Sequence, residues 1–212
     1  MVRRHWLCGL GIPLLALGLI AMPVAAQDSS PDEKKAEAPA AEKNASEAAA
    51  SASNGAEPGK PVPDFVLKGT DGKTYKLSEL KDKTVVLEWI NKDCPACKQL
   101  KDKMKETAES LAKKEVLWLA IDSTGNRKID DNIAFVKDNK LPYPILDDSE
   151  GAIGRAFGAK RTPTMYVVHK GVLVYRGALV PQRGDERNYI LEAVEAVLAG
   201  KEPPVRETTA YG

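Results

Sequence analysis

The chain has 212 residues, with 31 lysines and arginines against 30 acidic residues, so its formal net charge is +1. That balance gives no electrostatic ground for binding nucleic acid or a membrane surface. The length suits one domain with extensions or two small ones, and the 43% hydrophobic content is raised by an apolar N-terminal run and an alanine-rich stretch.

Arg3 and Arg4 make a basic start, Leu7 to Met22 an apolar run, and Val24-Ala25-Ala26 a site of small side chains. Residues 1–26 therefore read as an export signal, cleaved near Gln27. Left uncleaved, Trp6 to Ala26 is almost long enough to anchor in a bilayer. Arg3-Arg4 fits a twin-arginine signal poorly. Cys8 precedes most of the apolar run, whereas a lipidated cysteine would follow it. Once the signal is removed, Cys94 and Cys97 are the only cysteines, and no stable membrane insertion is expected. Residues 27–58 are rich in Ala, Glu, Ser, Lys and Pro and lack any aromatic or large aliphatic side chain. They cannot bury enough surface to offset their ordering entropy, so a flexible tether is expected.

The composition changes from Lys60, and residues 59–200 are expected to form the folded domain. "VPDFVLKGTDGKTYKL" alternates around Asp71-Gly72, which predicts a β-hairpin. Ser78 to Lys81 reads as a helical turn. "KTVVLEWIN" is a continuous apolar run, the pattern of a central strand covered on both faces. Cys97, Leu100, Met104, Ala108 and Leu111 recur at intervals of three and four, which predicts an amphipathic helix starting at the cysteines. Val116 to Asp122 reads as a second buried strand, "DDNIAFVKDN" as a short helix with an Asp cap, "YPILDD" as a short strand and "GAIGRAFGA" as a helical turn. "TPTMYVVHKGVLVYRGAL" predicts a hairpin turning at Lys170-Gly171. "DERNYILEAVEAVLAG" predicts a last helix stopped by Gly200, and residues 201–212 an irregular tail. Strands flanked by helices imply an α/β layered domain of about 140 residues.

The cysteine pair holds the chemistry. Closing so short a loop removes little unfolded-state entropy, so a structural crosslink is a poor explanation. Cys94 falls where a strand ends and a helix begins. The free amides of a helix start favour an anion, which lowers a thiol's pKa below about 8.5, and the thiolate is the attacking species in disulfide exchange. Pro95 suits the first helical position, where its missing N–H is no loss. Cys97, one turn on and facing inward, is placed to attack a mixed disulfide on Cys94. Glu88 stands mid-strand among apolar neighbours. Buried, its pKa would rise toward neutral and it would accept the Cys97 proton; on an edge strand, or paired with a lysine, it would be an ordinary surface carboxylate. Thr162-Pro163 precedes a strand, and base rates alone disfavour a cis bond there.

"WINKDCPACK", with Glu88 six residues before Cys94 and "RTPTMYVV" downstream, resembles the thioredoxin-like superfamily, in particular exported redoxins of the thiol–disulfide interchange type. The opening "VPDFVLKGTDGKTYKLSELKDKTVVLEW" is similar to the redoxin and peroxiredoxin branch. The resemblance covers about Pro61 to Gly200. It implies a thioredoxin-like fold: a central mixed β-sheet flanked by helices, with the N-terminal hairpin as an extension. It implies Cys94 as attacking thiol, Cys97 as resolving thiol and Glu88 as the buried acid. Thr162 would offer its backbone to a substrate strand, with Pro163 as a cis-proline facing the thiols and Pro95 beside them. The implied partners are protein disulfides and an upstream membrane or exported electron donor, with no cofactor and no metal. Peroxiredoxins carry a PxxxTxxC pattern; Leu87 and Asn91 occupy the Pro and Thr places here, which weakens the peroxidase alternative. A second alternative is copper or zinc handling by the two thiols, although His169, beside the Lys170-Gly171 turn, reads as a solvent-exposed histidine and zinc usually needs four ligands. The lysines at 98, 101, 103 and 105 read as a solvated helix face, and Trp89 as a core aromatic.

Overall fold

The computed structural model describes residues 55–183 and 186–212. The expected signal and nearly all of the expected tether lie outside the described residues. Strands β1 (Val66–Lys68) and β2 (Thr74–Lys76) form the expected hairpin, antiparallel with Leu67 opposite Tyr75. Asp71-Gly72 lies at its turn, where Gly72 has φ 80°, a conformation open to glycine at no steric cost. The helical turn beyond it is a 3-10 turn, Leu77–Leu80.

The main sheet has five strands: β3 (Thr84–Trp89), β4 (Leu117–Asp122), β5 (Ile145–Asp147), β6 (Thr164–His169) and β7 (Val172–Gly177), in the order β5-β4-β3-β6-β7. β3 runs parallel to β4 and antiparallel to β6, so the sheet is mixed. Helix α1 (Pro95–Ala112) connects β3 to β4, α2 (Ile129–Asn139) connects β4 to β5, the short α3 (Ala152–Phe157) precedes β6, and α4 (Tyr189–Leu198) follows β7.

β3 is central and every residue of it is buried. Strand alternation sends its side chains to opposite faces. Val85, Leu87 and Trp89 join one core cluster with Phe65, Phe157 and Tyr166. Val86 and Ile90 join the other, with Cys97, Met104, Ala108 and Leu111 of α1 and Ile190 and Val194 of α4. Glu88 shares their face and is fully buried. The edge-strand and lysine-paired readings of Glu88 are thereby corrected: its strand lies between β4 and β6.

Three smaller expectations are also corrected. Helix α2 is not capped by an Asp. It starts at Ile129 after Lys128, which makes no side-chain capping bond, and Asp130 and Asp131 fall in its first turn, where a negative charge still complements the helix dipole. The α1 lysines are not all solvated: Lys101 Nζ donates to Asn139 Oδ1 at 2.8 Å and Lys105 Nζ to the Asn139 carbonyl at 3.0 Å, tying α1 to the C-terminal end of α2. His169 is half-buried, with Nδ1 2.8 Å from the Thr84 hydroxyl, at the opposite end of β3 from the cysteines.

Candidate active site

β3 ends at Trp89 and α1 begins at Pro95, so Cys94 is the residue that caps the helix. As a thiol it makes no capping bond, but the backbone N–H groups of Ala96 and Cys97 favour its anion. These are the second and third helical residues, whose amides have no partner inside the helix. Across the cleft, Cys94 Sγ is 2.9 Å from the Thr162 carbonyl oxygen. Partial burial of Cys94 opposes ionisation. The Thr162 side chain, the Cys97 amide and thiol, and the Ala96 amide together outweigh it and hold the Cys94 thiol below its ordinary pKa.

Cys97 lies underneath, 3% exposed. Burial pushes its thiol up to about 12; the Asn91 backbone opposes that rise, while the nearby Glu88 and Cys94 add to it. The two sulfurs are thus driven apart in acidity, one toward a thiolate in reach of solvent, the other a buried thiol. Both cysteines are free.

Glu88 sits beneath Cys97 on the same face of the sheet. Its partner across the ladder is Ala120, and Trp118, two residues earlier on β4, lies on that face too. Trp118 Nε1 donates to Glu88 Oε2 at 2.8 Å, and the Trp118 ring stacks on Tyr143 at 5.5 Å. Glu88 Oε1 is buried and has no hydrogen-bond partner of good geometry. Burial raises the Glu88 pKa to about 7, against the opposing pull of Trp118 and Tyr143. This carboxyl, with one oxygen lacking a well-aligned donor, is close enough to Cys97 to raise that thiol's pKa.

Of the residues expected at the site, Cys94, Cys97, Glu88 and Thr162 are thus in mutual contact or electrostatic range. Pro163 is buried and its bond to Thr162 is cis, in line with the family resemblance and against the base rate for such bonds. Pro95 is exposed at the first position of α1 and belongs to no bond network. Sequence reasoning missed three residues, Trp118, Tyr143 and Arg127, and the bonds made by a fourth, Asn91. Trp118 and Tyr143 look like ordinary core aromatics, and nothing in a single sequence distinguishes them. Asn91 Oδ1 accepts from the Asp93 amide at 2.8 Å. Arg127, in the loop that follows β4, donates to Asp93 at 2.9 Å and to Asn91 at 3.3 Å, so it braces the turn leading into Cys94. Among the described residues, no three His, Cys, Asp or Glu side chains converge as a metal site, and no helix is long and apolar enough to cross a membrane.

Residues 58–176 match the AhpC/TSA family. The thiol–disulfide oxidoreductase ResA of Bacillus thuringiensis is 30% identical over 114 residues, 54% of this chain and 65% of its own. Peroxiredoxin Bcp of Bacillus subtilis is 31% identical over 102 residues, 48% of this chain and 63% of its own. The chain thus spans a little under two thirds of the length of these relatives. The exposed lipoprotein thioredoxin of Streptococcus pneumoniae superimposes with a TM-score of 0.52 at 28% identity, covering 62% of this chain and 98% of that one. The fold is thioredoxin-like.

Proposed function

The chain belongs to the AhpC/TSA family, and from that premise we propose that it is an exported thiol–disulfide oxidoreductase acting on disulfides of other proteins through Cys94 and Cys97. The observation that carries this reading is the placement of two sulfurs one helical turn apart at a helix start, Cys94 at the free amides and 2.9 Å from the Thr162 carbonyl oxygen and Cys97 buried beneath it, an arrangement that lowers the first thiol's pKa and raises the second's. The Cys94 thiolate attacks a substrate disulfide. A Cys94–substrate bond forms and the first substrate thiolate leaves. Cys97 then loses its proton to Glu88 and attacks Cys94 Sγ; the second substrate thiolate leaves and Cys94–Cys97 closes. The substrate gains two electrons, and an upstream thiol donor, membrane-bound or exported, returns the pair to the dithiol. Thr162 and Pro163 form the shelf on which a substrate strand lies. Export follows from the residue 1–26 signal and fits the lipoprotein relative, which is described as exposed.

The test is insulin reduction with a dithiol donor. Cys94→Ser is expected to lower turnover by at least about a thousandfold, because the nucleophile itself is gone. Cys97→Ser is expected to accumulate mixed disulfides on Cys94, which mass spectrometry would identify. Full activity in the Cys94→Ser protein would sink the proposal. The match to peroxiredoxin Bcp favours a second reading, hydroperoxide reduction. Against it, the Asn91 side chain that replaces the peroxidase threonine is already engaged with Asp93 and Arg127. Peroxide consumption by the Cys97→Ser protein measures it directly, and only slow consumption is expected.

A further inference from the structure

Residues 201–212 contain no helix, yet they are fastened to the sheet. Glu207 pairs with Arg176 as an isolated parallel bridge along β7, the edge strand. Thr208 N donates to the Arg176 carbonyl at 3.1 Å, and Thr208 Oγ1 accepts from Ala178 N at 2.9 Å and lies 2.6 Å from the Tyr175 hydroxyl. Gly177 makes this approach possible. Its φ is 141°, and a Cβ there would overlap the backbone of Thr208. From Thr208 the chain crosses toward the reactive site. The Tyr211 hydroxyl donates to the Val180 carbonyl at 2.9 Å. Gly212 then rests against Thr162 and Ala96: a Cβ on Gly212 would overlap the Thr162 carbonyl oxygen and lie 3.4 Å from the Ala96 side chain. That same oxygen is 2.9 Å from Cys94 Sγ. Residues Glu207 to Ala210 form one wall of a cavity of about 430 Å³ whose other walls include Arg161, Thr164 and Gly177.

We propose that residues 209–212 occupy the groove meant for a substrate strand, as an internal stand-in that an incoming extended polypeptide must displace from the Thr162 shelf. This rests on the reading of Cys94 and Thr162 given above. The stand-in also describes its competitor. The groove takes an extended segment with a small residue against Thr162 and Ala96, preceded by an aromatic side chain whose polar end reaches Val180. Disulfides carried on mobile, extended segments are then preferred over those held in rigid folds. Displacement is easy because Thr209 and Ala210 border a cavity on one side, and among the described residues the side-chain hydrogen bonds made beyond Thr208 are those of Tyr211 to the carbonyls of Val180 and Pro181.

The test uses the full chain and two variants. Gly212→Val places a branched side chain where the Thr162 carbonyl stands, and Tyr211→Phe removes the bond to Val180. Second-order rates are measured for the reduced proteins with insulin and with the small disulfide 5,5′-dithiobis(2-nitrobenzoate). Binding to a site that is open part of the time scales with the open fraction, and loss of one net hydrogen bond changes that fraction about two- to tenfold. Both variants are expected to react about two- to tenfold faster with insulin and within twofold of the parent with the small disulfide. Circular dichroism confirms that each is folded. Unchanged or slower insulin rates in both variants, with Cys94 alkylation as in the parent, would overturn the stand-in and leave the oxidoreductase reading intact. If the parent and both variants fail to reduce insulin, the oxidoreductase reading falls and takes this inference with it.

Discussion

A single oxygen atom separates Glu88 from an ordinary buried carboxylate. Trp118 holds Oε2, while Oε1 has no well-aligned donor and feels only the weaker pull of the Tyr143 hydroxyl, so the group is fixed in place yet keeps an oxygen able to take a proton. Trp118→Phe removes the donor while preserving aromatic bulk. A hydrogen bond to a charged group is worth about 1.5–3 kcal/mol, so the Glu88 pKa should rise further, by about 1–2 units. Carbon-detected NMR titration of the carboxyl checks this, and an unmoved midpoint refutes the assigned role of Trp118. Glu88 also makes stability depend on pH. Its folded pKa of about 7 exceeds its ordinary 4.5, so the folded protein binds the proton more tightly than the unfolded chain. That contribution is full below about pH 4.5 and is lost as pH rises to about 7, beyond which it stays flat. The loss amounts to about 3 kcal/mol. Glu88→Gln should flatten this slope in urea denaturation between pH 4.5 and 7. The same substitution should slow release of the mixed disulfide about 100- to 10,000-fold, as loss of a general base does, while Cys94 alkylation stays near the parent rate.

Elements with strong periodicity were legible before any coordinates. The interval pattern from Cys97 to Leu111 marks the buried face of α1, and the apolar run around Glu88 marks a strand covered on both sides. Helix α2 was legible only in part, because Asn132 is its only fully buried residue and its start lacks a capping side chain to announce it. The placement of the cysteine pair was legible because it is local, two cysteines and a proline at the junction of strand and helix. Trp118, Tyr143 and Arg127 were not, because each reaches the site from a neighbouring strand or loop, and single-sequence patterns carry no such pairing. Asn188 is a similar case. Its side-chain oxygen accepts from Ile190 N and Leu191 N at 3.1 Å each, which starts α4, and its Nδ2 donates to Thr107 of α1 at 2.8 Å. One buried side chain therefore caps one helix and ties it to another. Asn188→Ala should cost about 1–3 kcal/mol, combining loss of a cap with a buried hydroxyl left without its donor. Chemical denaturation measures it; a cost below about 0.5 kcal/mol would mean that water replaces both bonds.

Across the whole molecule, the proposed redox pair would couple to stability, because one fold would have to hold both a dithiol and a disulfide. The short Cys94–Cys97 loop restrains the unfolded chain only slightly, so the two redox forms differ mainly through native interactions. In the dithiol form Cys94 has a lowered pKa. A lowered folded pKa gives stability that is full above the ordinary thiol pKa and is lost as pH falls through the folded value. Cys97 works the other way, but its raised value of about 12 means that its penalty begins only above the ordinary value of 9.0. Glu88 is shifted chiefly by burial, which both redox forms share, so it largely cancels from their difference. From the lowered Cys94 value up to the ordinary thiol value, Cys94 therefore dominates. The dithiol form should gain stability relative to the disulfide form as pH rises over that range. Paired urea denaturations of the two forms at mildly acidic and mildly alkaline pH give the comparison. A gap that shrinks toward alkaline pH would mean that the helix amides and Thr162 do not favour the Cys94 anion. The proposed exchange chemistry would then lack its driving group.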